Sequence, residues 1–578
     1  MGDRTARQGV GTATETRSIL YSGCRLPKGT CLVPTNADAE MLLTKLAAEV
    51  KNIMTTDRAG VRRAKPRHGF RVRRRTLLAG VGALASKIWL DSRSKTFAQT
   101  PGRGGTLIVG QAGDLANFDP FYTVLNNNFM FRALYDSVIL IEANGRIAPQ
   151  LAESWSVGKD ARSITLQLRK GVRFPSGREL DASDVVYSVK FVQDPKHFSQ
   201  LQSLFAPIAE MQTPNKYTIV MRFDKPYAGI MDPLNGLYVL DKDAASDLKA
   251  KPAGSGPFLV ERWEPGHQVV LVRNKNYWDA GRIYLDRIII RTIPDPTSLG
   301  AALQAGDVDL IFNFPLAQYV GLQRDPRLQV STGSTGATAY DLALNVKRPV
   351  FSNKLARQAM NYALDRTQFV RSVLYGLVPP RSLAFPSYSI GYSKDLDNRY
   401  TYDLEKAKTL MKKAGVEGAS FTAIASDQET PGTAALGEIL QASLRQIGIS
   451  MTVQNLESAR YLELDHASNF DMMVHVYGGV ALTDPDSILN GTIVWRPQNN
   501  VTNYSSPEYT RLVKEGGTTV DIAQRKKIYR AINELALDEC WDIPVASAPA
   551  PWALRQKVKA FTYDVANYPV YQGAWVSA

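Results

Sequence analysis

"LAESWSVGKDARSITLQLRKGVRFPSGRELDASDVVYSVKF", Leu151 to Phe191, changes its hydrophobic period part-way along. In "ITLQLR", Ile164, Leu166 and Leu168 recur at every second residue, the spacing that puts side chains on one face of a half-buried strand. From Asp181 the spacing becomes helical. "DASDVVYSVKFVQDP" opens on an aspartate suited to cap a helix, brings Val185, Val186 and Val189 together and stops before Pro195. "YTIVMRF" then returns to the strand period with Tyr217, Ile219, Met221 and Phe223.

The same alternation extends in both directions. "GGTLIVG", from Gly104, is a short apolar strand bounded by glycines. "YDLEKAKTLMKKAGV" has an Asp403 cap, a stripe of Leu404, Ala407 and Leu410/Met411, and a left-handed stop at Gly415. "GEILQASLRQIGISMTV" repeats the design: Leu440, Leu444 and Ile447 form a stripe, Gly448 ends the helix, and Ile449, Met451 and Val453 start a strand. Helix passing into strand within two residues belongs to mixed α/β layers, and 578 residues suffice for two of them.

The formal charge of +14 suggests an anionic partner until it is located along the chain. Residues 1–100 hold 19 Lys and Arg against 7 Asp and Glu, leaving 50 against 48 for the rest. The body therefore has no electrostatic footprint for nucleic acid. The basic surplus surrounds "RVRRRTLLAGVGALAS", Arg71 to Ser86, where four arginines precede an uncharged run ending at Lys87. That run is too short to span a bilayer core of about 30 Å. It has the layout of a signal peptide, with Arg74-Arg75 similar to the twin-arginine export signal and a small-residue cut after Ala98. The alternative is a basic arm followed by an apolar helix of the body. Met54 offers a later start upstream of the arginines. Cys24 and Cys31 fall in this removable part, so Cys540 is left without an intramolecular partner.

The body lacks the common catalytic spacings: no Walker phosphate loop, G-x-G-x-x-G, H-E-x-x-H, C-x-x-C or G-x-S-x-G. His197, His267, His466 and His475 have no second His or Cys at ligand spacing, so no metal site, catalytic residue or cofactor is assigned. Trp155, Trp263, Trp278, Trp495, Trp541, Trp552 and Trp575 all lie in the body, where such rings either fill cores or line sites for amphipathic organic solutes.

The opening segment resembles the one by which family 5 extracellular solute-binding proteins are identified, the dipeptide, oligopeptide and nickel binding proteins of ABC importers. The likeness continues through "GSGPFLVERWEPGHQVVLVRNKNYWD", "YLDRIIIRTIPDPTSLGAALQAGDVDLI", "LALNVKRPVFSNKLARQAMNYALDR", "YDLEKAKTLMKKAG" and "RKKIYRAINELALDECWDIPVASAPAPWALRQKVKAF". The resemblance implies an α/β, two-lobed periplasmic binding protein of type II, with an extra α/β subdomain and mixed sheets in each lobe joined by a hinge. Residues 1–103 would be the extension and signal peptide. The first lobe would span 104–338, with the subdomain inserted at about 146–249, and regain the chain at 546–578. The second lobe would span 339–545, and the hinge would run through "GATAYDLAL" and "IPVASAPAP".

The implied function is capture of a small organic solute (a peptide, an opine or amino-acid conjugate, or similar) by an exported monomer that delivers it to an ABC permease. Peptide binders of the family place an aspartate after a second-lobe strand to pair with the peptide ammonium. Here "DMMVHVYGG" puts Gly479 at that position, which argues against free-amine dipeptides, unless the short insertion "VAL" brings Asp484 into the same place. Expected solute-binding residues are Asn117, Phe118, Tyr122, Asn126 and Asn127 after the first strand, and Ser255 in "GSGPF". Tyr340 lies by the hinge, Tyr477, Gly478 and Gly479 at a strand end, and Trp495, Asn503 and Tyr504 in a polar aromatic loop. The Ala/Met stripe of "KLARQAMNYALDR" is expected in the core. Two alternatives stay open at this point: a secreted hydrolase or metal-dependent enzyme built from distant carboxylates and His475, and a solute-sensing receptor component.

Overall fold

The computed structural model describes residues 101–121, 128–197, 199, 201–333, 338–478 and 483–577. Three larger sheets organise them, beside three two-stranded ones. The first has seven strands, ordered Leu328–Ser331, Trp552–Arg555, Leu310–Phe312, Thr106–Gln111, Arg287–Thr292, Gln268–Arg273 and Phe258–Glu264. Thr106–Gln111 runs parallel to both of its neighbours, and the other pairings are antiparallel. Parallel strands need a crossover. Helix Ser298–Ala305 supplies one between Arg287–Thr292 and Leu310–Phe312, and it ends on Gly306 at φ 90°, a conformation that costs a residue with a Cβ.

Leu151 to Phe191 supplies two strands of an antiparallel four-stranded sheet and the helix beside it. The strand order is Ala152–Val157, Ser163–Leu168, Thr218–Phe223 and Ile208–Asn215. Ile164 pairs with Met221 and Leu166 with Ile219, so the two period-two patterns meet on one buried face. Helix Ala182–Gln193 is capped by Asp181, whose side chain accepts from the Ser183 N–H, while Asp184 returns a bond to the Asp181 N–H at 3.0 Å. Its buried stripe runs through Ala182, Val185, Val189 and Val192; Val186 is only half-buried, because it lies one residue round the helix from the stripe.

The third sheet has five strands, ordered Ser450–Asn455, Ser420–Ala425, Met472–Gly478, Thr338–Leu344 and Asp542–Ser547. Helix Leu404–Ala414 begins at the Asp403 cap and ends at Gly415, φ 70°. Helix Thr433–Gln446 ends two residues before Gly448, which is left-handed at φ 78°. Ala356, Ala359, Met360 and Ala363 of helix Lys354–Ala363 are fully buried, which places the Ala/Met stripe in the core of this sheet. Each large sheet thus has its own apolar core, in a two-lobed mixed α/β fold of the type II binding proteins. Cys540 is a buried free thiol.

Candidate functional site

Two strands of chain link the large sheets, one between Leu328–Ser331 and Thr338–Leu344, the other between Asp542–Ser547 and Trp552–Arg555. They run side by side. The Ala548 N–H donates to the Thr338 carbonyl and the Ala550 N–H to the Thr332 carbonyl, each at 3.0 Å. Gly333, at φ 74°, is packed so closely that a Cβ there would stand 2.4 Å from the Ala550 carbonyl oxygen. A paired two-strand link between separately cored lobes is a hinge geometry, since small φ/ψ changes in it reorient whole lobes.

Where the second-lobe sheet reaches this link, Ala339 pairs with Ser547 and with Tyr477, and Thr338 with Gly478. The Tyr340 hydroxyl donates to the Pro431 carbonyl at 2.7 Å, and the Tyr477 hydroxyl to the Ala384 carbonyl at 2.9 Å. Arg381, 6% exposed, donates to the Ser547 hydroxyl at 3.1 Å and to the Tyr477 hydroxyl at 2.8 Å. Tyr340, Tyr477 and Gly478 are therefore brought to one end of the sheet, with both tyrosines buried and Gly478 exposed. Arg381 belongs to the same group but was not expected there. Its only sequence signal is a lone cation in the apolar run "VPPRSLAF". Deeper in the sheet, burial pushes the Asp341 carboxyl up to about 7. The same burial, reinforced by Asp341, raises the adjoining Asp542, and it holds His475 below its usual value.

Asn117 lines a hollow of about 650 Å³ between the loop after Thr106–Gln111 and the inserted subdomain, shared with Phe191, Lys196, His197 and Asp247. Its side-chain oxygen accepts from the Asp119 N–H at 3.0 Å. Phe118 is turned into the core, with its ring edge-on to Trp263 at 5.4 Å and its carbonyl receiving the Tyr135 hydroxyl at 2.7 Å. Tyr122, Asn126, Asn127 and Gly479 lie outside the described residues.

Four other expected site residues have internal partners. Ser255 is 1% exposed and donates to Asp136, which also receives Tyr277, Gln150 and Trp278. Its flanking glycines answer a close approach, since a Cβ on Gly254 would stand 2.2 Å from the Leu134 carbonyl oxygen. Trp495 and Tyr504 pack on Trp541 with ring centroids 5.1 and 4.1 Å away. Asn503 donates to the Asn345 side chain at 3.2 Å and holds a left-handed turn at φ 58°. The polar aromatic loop thus packs inward around Trp541. The aromatic-and-asparagine composition that suggested a site serves a ring stack in this lobe.

A second hollow, of about 450 Å³, lies between the inserted subdomain and the second lobe and is lined by Tyr227, Lys225, Asp486, Arg496 and Lys514 among others. Beside it Arg525 grips Asp484 with two bonds of 2.7 Å. Asp484 also caps helix Pro485–Gly491 through the Asp486 N–H. Its carboxylate is thereby committed to an internal ion pair and is not the unpaired counter-charge that an ammonium would need. Among the described residues no group of three or more His, Cys, Asp or Glu is arranged to hold a metal ion.

Two separately cored lobes on a paired hinge define a solute-binding protein of the closing type. Residues 146–499 match the description "Bacterial extracellular solute-binding proteins, family 5 Middle", and the chain belongs to that family. It is similar to Di/tripeptide-binding protein 1 of Pseudomonas aeruginosa (strain UCBPP-PA14), 26% identical over 79% of this chain and 91% of the relative. Among solved structures it resembles the ABC transporter-associated periplasmic binding protein DppA of Helicobacter pylori, in complex with peptide STSA. That likeness has a TM-score of 0.68 and 26% identity over 82% of this chain and 99% of the other. The binding protein AgaA of A. tumefacien R10, in complex with agropinic acid, gives a TM-score of 0.69 and 26% identity over the same shares.

Proposed function

We propose that this chain is the solute-capturing component of an ABC importer, which closes its two lobes on a peptide or peptide-like solute and presents the closed form to a membrane permease. The observation that carries the proposal is the paired crossing at Thr332–Ala550 and Thr338–Ala548 in a member of this family. A solute that touches both lobes is bound fully only in the shut arrangement, so binding shifts the population toward it. Relatives that capture di- and tripeptides, the peptide STSA and agropinic acid support a solute in the range from peptide to amino-acid conjugate. Gly479 at the position of the ammonium-pairing aspartate and Asp484 engaged by Arg525 favour the end of that range without a free α-ammonium, an amino-acid conjugate.

Mass spectrometry of solute copurifying with the natively exported protein tests this. The bound compound should be small, organic and released stoichiometrically on denaturation, and it should stabilise the protein by about 2.7 kcal/mol at 100 times its dissociation constant. Capture of a free-amine dipeptide would reject the conjugate. Failure of every peptide, conjugate and sugar in a broad library to stabilise the protein would reject the capture role. Export is proposed to follow the twin-arginine route, supported by Arg74-Arg75 ahead of the apolar run. Replacing both arginines by lysine should leave the precursor in the cytoplasm, and unchanged export would count against the route.

A further inference from the structure

The inserted subdomain and the second lobe meet at a seam whose most buried ionisable group is Asp232, fully buried in helix Met231–Gly236. Its carboxylate accepts three hydrogen bonds from the second lobe. They come from the Thr483 hydroxyl, from the Asp484 N–H at 2.9 Å and from the Ser487 hydroxyl at 2.9 Å. The guanidinium of the seam, Arg525, is turned to Asp484 instead. Backbone closes the contact beside it. The Ala228 N–H donates to the Gly517 carbonyl at 2.9 Å, and a Cβ on Gly229 would stand 2.7 Å from that of Asp486. None of these partners is close in sequence: Asp232 and Asp484 are 252 residues apart.

We propose that Asp232 is the latch of the shut protein: carried on the inserted subdomain, it holds the first turn of helix Pro485–Gly491 in the second lobe and so determines how firmly the lobes stay closed on a solute. The proposal rests on the hinge-closing function above. Opening the seam would return the Asp232 carboxyl to water and strip three donors of their acceptor, and an unmade bond at a buried group is costly. The groups facing it are Asp484, Asp486 and Tyr227, with Arg525, Tyr529 and Lys225 around those. Burial, then Asp484, push Asp232 up to about 8, against an ordinary aspartate value near 4 in water. Burial likewise pushes Asp486 up to about 7. The shut form therefore holds protons more tightly than the open one. Closure is favoured below the ordinary value and weakens as pH rises toward about 8.

Hydrogen exchange of the full chain without added solute tests the latch apart from any question of which solute is bound. Protection of the Asp484 and Ala228 amides, corrected for intrinsic exchange, should fall at least about tenfold between about pH 5.5 and about pH 8.5, as one pKa unit of coupling requires. Asp232→Asn keeps an acceptor oxygen and cannot ionise, so its protection should fall by clearly less than the wild type's over this range, with Asp486 left to titrate. Asp232→Ala should lose protection at both. Thr483→Val with Ser487→Ala, made from the other side of the seam, should reproduce that loss without touching the subdomain. Wild-type protection in both the alanine and the paired variant would overturn the latch, as would a pH-dependent fall in Asp232→Asn as large as the wild type's.

Discussion

Asp341 and Asp542 show how much a single buried carboxyl can govern. Both are fully desolvated on neighbouring strands of the second-lobe sheet, next to a His475 whose basicity the same burial lowers. Carboxyls whose folded values lie above the ordinary one contribute stability that is present below about pH 4 and is lost as pH rises through the folded value, here about 7 for Asp341. Asp542→Asn removes one of the two ionisations with almost no change of shape. The variant should match the wild type near pH 4 and exceed its stability near pH 8, measured by urea unfolding at both pH values. A variant equally stable or weaker at the higher pH would show that the pair is not a net cost when ionised. The sequence displays both aspartates but not their proximity, since they lie on strands separated by most of the second lobe.

At the scale of elements, local chemistry is decisive and easily read. Helix Ala182–Gln193 starts where its capping aspartate stands, and the Asp184 side chain completes the reciprocal pair at the N-terminus. Asp184 does more than the local pattern shows. It is fully buried and receives Arg178, which also bonds Asp241, so the helix start is tied to the rest of the subdomain. Asp181→Ala should cost about 1 kcal/mol, the ordinary value of an N-cap, as a lowered midpoint in urea unfolding. A loss several times larger would mean that the cap also secures the Arg178 cluster. The strands of this subdomain were equally legible, because one half-buried face forces alternation. The loop of Trp495, Asn503 and Tyr504 was not, because polar aromatics have the same composition whether they stack inward on Trp541 or face a solute.

For the whole molecule, the proposed capture role rests on the hinge. Gly333 sits in one crossing at a positive φ, with the Ala550 carbonyl and Asn567 side chain where a Cβ would go. Gly333→Ala forces the two crossings apart or the residue out of its conformation. We expect each lobe's core to survive and the affinity for the copurifying solute to fall about tenfold or more, read by calorimetry beside the thermal unfolding curve. Undiminished affinity would place the hinge motion elsewhere. The seam at Asp232 is the complementary contact, since it is made only when the subdomain and second lobe stand together.

The sequence by itself determined the α/β class, the strand and helix periods, the helix caps at Asp181 and Asp403 and the stop at Gly415, because each depends on neighbours a few residues away. Its ordered segments also carried the family resemblance. Only the tertiary structure decided which candidate residues share a surface. It buried Ser255 on Asp136, turned Trp495 and Tyr504 onto Trp541, gathered Tyr340, Tyr477 and Arg381 at one sheet end, and set Asp232 against Asp484 and Ser487. The physical reason is that burial and charge pairing are properties of three-dimensional neighbours. A chain that crosses twice between lobes brings together residues that no local period or spacing relates.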